Sequence, residues 1–165
     1  MRIGLVLALL LASSAAYAQA PQVIGADVTE FGIYTAELER AEPAPGTVTG
    51  TEKIVTHMRL AAQTRTIPAA KGVSFGYRFT LVGSTPIGAI APLHMVTIFP
   101  SPMTNPATRQ SATRSESDVG LSIGAVGYTG YSMDNAWEVF PGVWTFQIWS
   151  QGRKLAEQSF TVQKR

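Results

Sequence analysis

Two His-Met pairs are the residues best suited to chemistry in this chain. His57-Met58 and His94-Met95 each set an imidazole beside a thioether. Imidazole serves copper in both oxidation states, and thioether sulfur selects Cu(I). A copper carrier would take His57, His94 and Met95 as ligands, with Met103 and Met133 as further sulfurs. Strand parity opposes that design, because neighbours on a strand point to opposite faces. Met58 shares its parity with Ile54 and Leu60 and is expected in the core, whereas His57 goes with Lys53 and Arg59 and is expected in solvent. Around His94 both parities are apolar, so its side stays open. The alternative to a metal site is a set of ordinary sheet residues.

Other chemistries find less support. A hydrolytic triad needs a nucleophile, a base and an orienting acid. His57 and His94 are the only histidines to serve as base, and no Gly-x-Ser-x-Gly elbow occurs. Ser132 beside Asp134 reads as a turn, since Asp and Asn cluster there. Glu116 and Asp118 are the closest acidic pair in a segment read as loop, and no partner acid for glycoside chemistry is identifiable. The chain therefore reads as non-enzymatic and implies no cofactor.

Binding is the remaining class. The segment Pro100 to Asp118 is rich in Pro, Ser, Thr and Asn and is expected to be a long loop. Loops on a rigid scaffold commonly carry recognition. Arg109 and Arg114 precede Glu116 there and suit an anionic partner. Trp149, Tyr128, Tyr131 and Trp137 are not clearly inward by parity, and exposed aromatics can stack on sugars or anchor a protein. Arg109, Arg114 and Trp149 are the candidate partner-binding residues.

The elements that must hold these residues are β-strands. Val73, Phe75, Tyr77, Phe79 and Leu81 share one parity, and Ser74, Gly76, Arg78 and Thr80 the other. That alternation marks a half-buried strand. Trp144, Phe146 and Ile148 alternate with polar neighbours, Gln151-Gly152 offers a tight turn, and Phe160 and Val162 alternate on the return. The pattern predicts a hairpin of strands 142–150 and 153–163. Further strands are expected around Phe31 to Tyr34, Lys53 to Leu60, Ile90 to Phe99 and Val119 to Tyr128. Thr35 to Ala41 is the one helical candidate, and Glu42 to Thr51 reads as a loop.

The N-terminus gives an address. Arg2 is followed by the apolar run Ile3 to Ala12, then by Ala16-Tyr17-Ala18, an A-x-A site. This is the layout of a cleavable secretory signal peptide, with a mature start at Gln19 and a periplasmic or secreted product. The run is too short for a span of roughly 20 residues, and no later segment is long and apolar enough to re-enter a membrane. Residues 19–165 then form a single domain. The 165-residue chain has no cysteine, which excludes disulfides and thiolate metal sites. Removing Arg2 leaves 12 basic against 11 acidic residues, too balanced for a nucleic-acid binder.

Ile67-Pro68-Ala69, Gly72, Phe75-Gly76, Arg78, Phe79, Gly83, Pro86, Gly88, Phe99-Pro100 and Pro102-Met103 form one stretch of motif. Glu138, Pro141-Gly142, Trp144-Thr145-Phe146, Ile148, Gly152, Leu155-Ala156 and Phe160-Thr161-Val162 form a second. Together they resemble a bacterial family catalogued as domain of unknown function 3859. The resemblance implies an exported β-sandwich and carries no assigned activity. The resulting expectation is an antiparallel immunoglobulin-like β-sandwich of about seven or eight strands, with a closed barrel as alternative. It would recognise a protein or an envelope polysaccharide.

Overall fold

The computed structural model describes residues 22–44, 47–84 and 87–164. The expected signal peptide and the expected start at Gln19 lie outside them. Among the described residues the strands are β1 (Val23–Pro43), β2 (Thr51–Ala62), β3 (Thr66–Pro68), β4 (Ser74–Gly83), β5 (Ile90–Thr104), β6 (Ser111–Ser122), β7 (Val126–Ser132), β8 (Gly142–Ser150) and β9 (Arg153–Gln163). A single 3-10 turn spans Ala136–Glu138. The strands form a four-stranded sheet, β2-β1-β4-β7, and a five-stranded sheet, β3-β9-β8-β5-β6. Nine strands replace the seven or eight expected. The five-stranded sheet is mixed, because β3 runs parallel to β9.

The core sits between the two sheets. Phe75, Tyr77, Phe79 and Leu81 of β4 are fully buried against Trp144, Phe146 and Ile148 of β8 and Phe160 of β9. Phe75 is the hub, meeting the rings of Trp144, Phe146 and Phe160 edge-on at 5.5, 5.6 and 5.7 Å. Burying each such side chain contributes roughly 1.5–3 kcal/mol, and each ring pair about 0.5–1.5 kcal/mol more. The β8–β9 hairpin has the expected boundaries. Its turn puts Gln151 at φ 51° and Gly152 at φ 75°, the two left-handed residues that match hairpin twist.

Three expectations are corrected. Thr35 to Ala41 is no helix: it is the far half of β1, paired with β2 from Thr35↔Arg59 to Ala41↔Lys53. Its charged residues lie on an arm that projects beyond the core, where alternation has nothing apolar to display. Pro100 to Asp118 is no long loop. β5 runs on to Thr104 and β6 starts at Ser111, so only Asn105 to Gln110 turns. Pro100 and Pro102 fall in the gap between the paired residues Ile98 and Met103, where an irregularity spares the ladder their missing N–H groups. Val119 to Tyr128 is two strands, broken where Gly124 takes φ 86° and Ala125 N–H donates to the Ser122 carbonyl at 2.9 Å.

Candidate functional site

The outward parity of β5 starts from Ala91 and Leu93, both buried inward. His94 therefore faces out, where it pairs with Asp118 of β6 and Trp149 of β8. Its Nδ1 lies 2.8 Å from Asp118 Oδ1. Its Nε2 lies 3.8 Å from Glu116 Oε2, and Glu116 Oε1 accepts from Arg114 Nε at 2.8 Å. On the other side of His94, Trp149 Nε1 donates to Gln147 Oε1 at 2.9 Å, and Gln147 Nε2 donates to Glu157 Oε2 at 2.7 Å. Lys154 Nζ donates to the same Glu157 oxygen at 2.7 Å and stands 5.9 Å from the Trp149 ring centroid.

A polar row thus crosses β6, β5, β8 and β9 on the outer face of the five-stranded sheet. The hydrogen bond from Lys154 holds the Glu157 carboxyl below the usual glutamate value, helped by Gln147 and opposed by partial burial. The row offers charged donors and acceptors around one indole, which suits recognition of a hydroxylated or charged ligand. A triad would need a hydroxyl against His94 Nε2, where Glu116 stands instead.

The proposed copper ligands do not converge. His57 lies on β2 of the other sheet, at φ 50°, with Nδ1 3.2 Å from Glu37 Oε2. His94 faces outward, and Met95 faces inward opposite Ile148. One ion would have to lie within about 2–2.5 Å of all three, and the sandwich separates them. Met103 and Met133 are buried in the core. Among the described residues no group of three or more His, Asp or Glu is placed to hold a metal ion; around His94 the two acids flank different ring nitrogens. Met58 does not reach the core that its parity predicted: it is half-buried on β2 and lines the cavity beside β7, and its carbonyl accepts from Arg78 Nη2 at 2.6 Å.

Of the candidate partner-binding residues, Arg114 and Trp149 share the outer face. Arg109 does not join them: it sits at the β5–β6 hairpin tip at φ 61°, where its N–H donates to the Asn105 carbonyl. The aromatic side chains are not the exposed ones. Trp149, Tyr128, Tyr131 and Trp137 are half-buried, and among the described residues the exposed large hydrophobics are aliphatic. Gln147, Glu157 and Lys154 were not singled out from the sequence. Parity puts Gln147 beside Trp149, but an irregularity between Ile148 and Trp149 sets which β9 residues reach them.

The motif positions have structural roles. A Cβ at Gly76 would lie 2.2 Å from the Thr129 carbonyl oxygen, and one at Gly142 would lie 2.4 Å from Pro100 Cβ. Glu138 is buried, accepting from Asn135 N–H at 2.6 Å and from Asn135 Nδ2 at 3.2 Å.

Two facing sheets around one aromatic core, nearly free of helix, make this an all-β sandwich. Residues 22–162 match the family described as domain of unknown function 3859, and the chain belongs to that family. It is similar to an immunoglobulin-like protein from Pseudomonas aeruginosa whose crystal structure is known, with 25% identity, a TM-score of 0.59, and coverage of 90% of this chain and 100% of that one. An alkylpurine DNA glycosylase from Pseudomonas fluorescens, solved bound to DNA containing an abasic-site analogue, matches 60% of this chain and 28% of its own at 14% identity. The TM-score of that match is 0.41. No curated protein matches the chain.

Proposed function

We propose that the chain is an exported, non-enzymatic binding or accessory domain that recognises a protein or an envelope polysaccharide. Export rests on the signal-like segment from Arg2 to Ala18. The observation carrying the binding role is the Asp118–His94–Trp149 row, extended by Gln147, Glu157 and Lys154 on one sheet face. Recognition then works from a strand face instead of a long loop. An indole with charged neighbours is the kind of anchor on which a few residues carry most of an interaction.

The test uses protein starting at Gln19 against purified envelope polysaccharides and an in-cell crosslinked partner set. Trp149→Ala is expected to weaken binding by about tenfold or more, the loss of roughly 1.4 kcal/mol, while thermal stability stays near that of the parent. Binding that survives Trp149→Ala and His94→Ala together moves recognition off this face.

A further inference from the structure

A second site lies along the free edge of β7 and shares with the outer-face row only Glu116, which lines both. The sandwich has four sheet edges among the described residues: β2, β7, β3 and β6. Exposed edges template pairing with other chains, and proteins blunt them with charge, proline, bulges or brevity. β2 is irregular against β1 and carries Glu52, Lys53, His57 and Arg59. β3 is three residues ending in Pro68. β6 carries Arg114, Glu116 and Asp118. β7, Val-Gly-Tyr-Thr-Gly-Tyr-Ser, has no charge and no proline, and its ladder with β4 is unbroken from Ser74↔Ser132 to Thr80↔Val126.

The pairing continues past Ser132, where Met133 N–H donates to the Val73 carbonyl at 3.0 Å. Antiparallel alternation then turns the N–H and C=O groups of Tyr128, Gly130 and Ser132 away from β4. They face a cavity of about 420 Å³. Ser115 and Ser117 of β6 form its opposite wall, and the β1–β2 arm roofs it. Two contacts hold the arm over the groove: Asn105 Nδ2 donates to the Val48 carbonyl at 3.0 Å, and Lys53 Nζ pairs with Asp134 Oδ2 at 2.6 Å. With Lys53 paired to Asp134 and the lining Glu116 paired to Arg114, the groove keeps the carboxylate of Glu52, which makes none of the ion pairs seen among the described residues.

We infer that this groove accepts one extended peptide segment carrying a lysine or arginine, added as a strand to β7. Main-chain hydrogen bonds to Tyr128, Gly130 and Ser132 supply the affinity, and Glu52 selects the basic side chain. The roof excludes a second sandwich, since β7 of another copy lies beneath an arm of its own. A bare strand fits where a sheet does not.

The probe is a phage library of random decapeptides, panned on the full protein starting at Gln19. The selected peptide is then titrated into isotope-labelled protein. Enrichment of Lys or Arg, amide shifts at Tyr128, Gly130 and Ser132, and about tenfold weaker binding after N-methylation of alternate peptide residues support the site. Glu52→Lys is expected to cost a similar factor while leaving the melting temperature unchanged. Ser117→Tyr, which fills the opposite wall, is the second variant and should block binding. No enrichment overturns the inference, as does undiminished affinity of the N-methylated peptide. So does a dimer whose β7 amides are protected, which would make a second copy the occupant.

Discussion

Gly76 on β4 stands directly opposite Gly130 on β7, and the Tyr128 hydroxyl occupies the space that their missing side chains leave. A Cβ on Gly130 would lie 2.2 Å from that hydroxyl and 2.4 Å from the Phe75 carbonyl oxygen. The requirement is for space and not for a left-handed backbone, since neither glycine has positive φ. Tyr128 in turn meets the ring of Tyr34 edge-on at 5.0 Å, so the glycine pair seats a tyrosine cluster on the outer face of the four-stranded sheet.

Gly76→Ala and Gly130→Ala are each expected to destabilise the fold by about 1–3 kcal/mol. Tyr128→Phe should not rescue Gly130→Ala, because the overlap with the Phe75 carbonyl remains. Thermal unfolding checks this, at roughly 2–4 °C per kcal/mol for a chain of this size.

Gln158 opposes Phe146 on β9 at the parity of Phe160, and its buried Oε1 has no hydrogen-bond partner. Gln158→Leu removes that desolvation penalty and is expected to stabilise the protein by about 1–2 kcal/mol. A fall in the denaturant midpoint would show that the amide has a role the orphan oxygen does not reveal.

Glu138 acts oppositely. Glu138→Ala leaves Asn135 N–H without its acceptor next to the core, and a loss of about 1–3 kcal/mol is expected. Glu138→Gln keeps an acceptor and should lose less. Equal losses in the two variants would point to the charge and away from the hydrogen bond.

Alkaline pH should weaken the fold through its tyrosines. Burial, with the Glu30 charge second, pushes the Tyr34 hydroxyl up from 10.0 to about 12, and burial also raises Tyr77, Tyr128 and Tyr131. In that window the unfolded chain releases protons the folded one keeps, so stability is whole below pH 10 and declines as pH rises through about 12. Denaturant midpoints taken from pH 8 upward test the slope, which Tyr34→Phe should flatten.

The signal-like run from Arg2 to Ala18 can be tested directly. Expressed in a Gram-negative host, the chain should appear in the periplasmic or extracellular fraction, with Gln19 as its first residue by N-terminal sequencing. Retention of Met1 in the cytoplasm would remove export from the proposed function.

Legibility in the sequence follows burial. β4 and the β8–β9 hairpin announce themselves because one face of each meets the core, giving uninterrupted alternation from Phe75 to Leu81 and from Trp144 to Ile148. The far half of β1 leaves the core, so its charges read as helix; around Asn105 Met103 stays buried, but Pro100, Pro102 and the polar run after Asn105 hide the alternation and read as loop. The site divides the same way. That Trp149 points away from Trp144 and Ile148 follows from parity alone, whereas its company of His94, Gln147 and Lys154 depends on sheet order and on a local irregularity of β9. Sheet order also decides that His57 and His94 stand apart, since no strand's own pattern names its neighbours.

The short parallel pairing of β3 with β9 has a kinetic consequence. Ile67 of β3 meets Val162 of β9, so β3 has no partner until almost all of the described chain has been made. A chain synthesised from its N-terminus holds β3 in waiting throughout, and such long-range closure is slow.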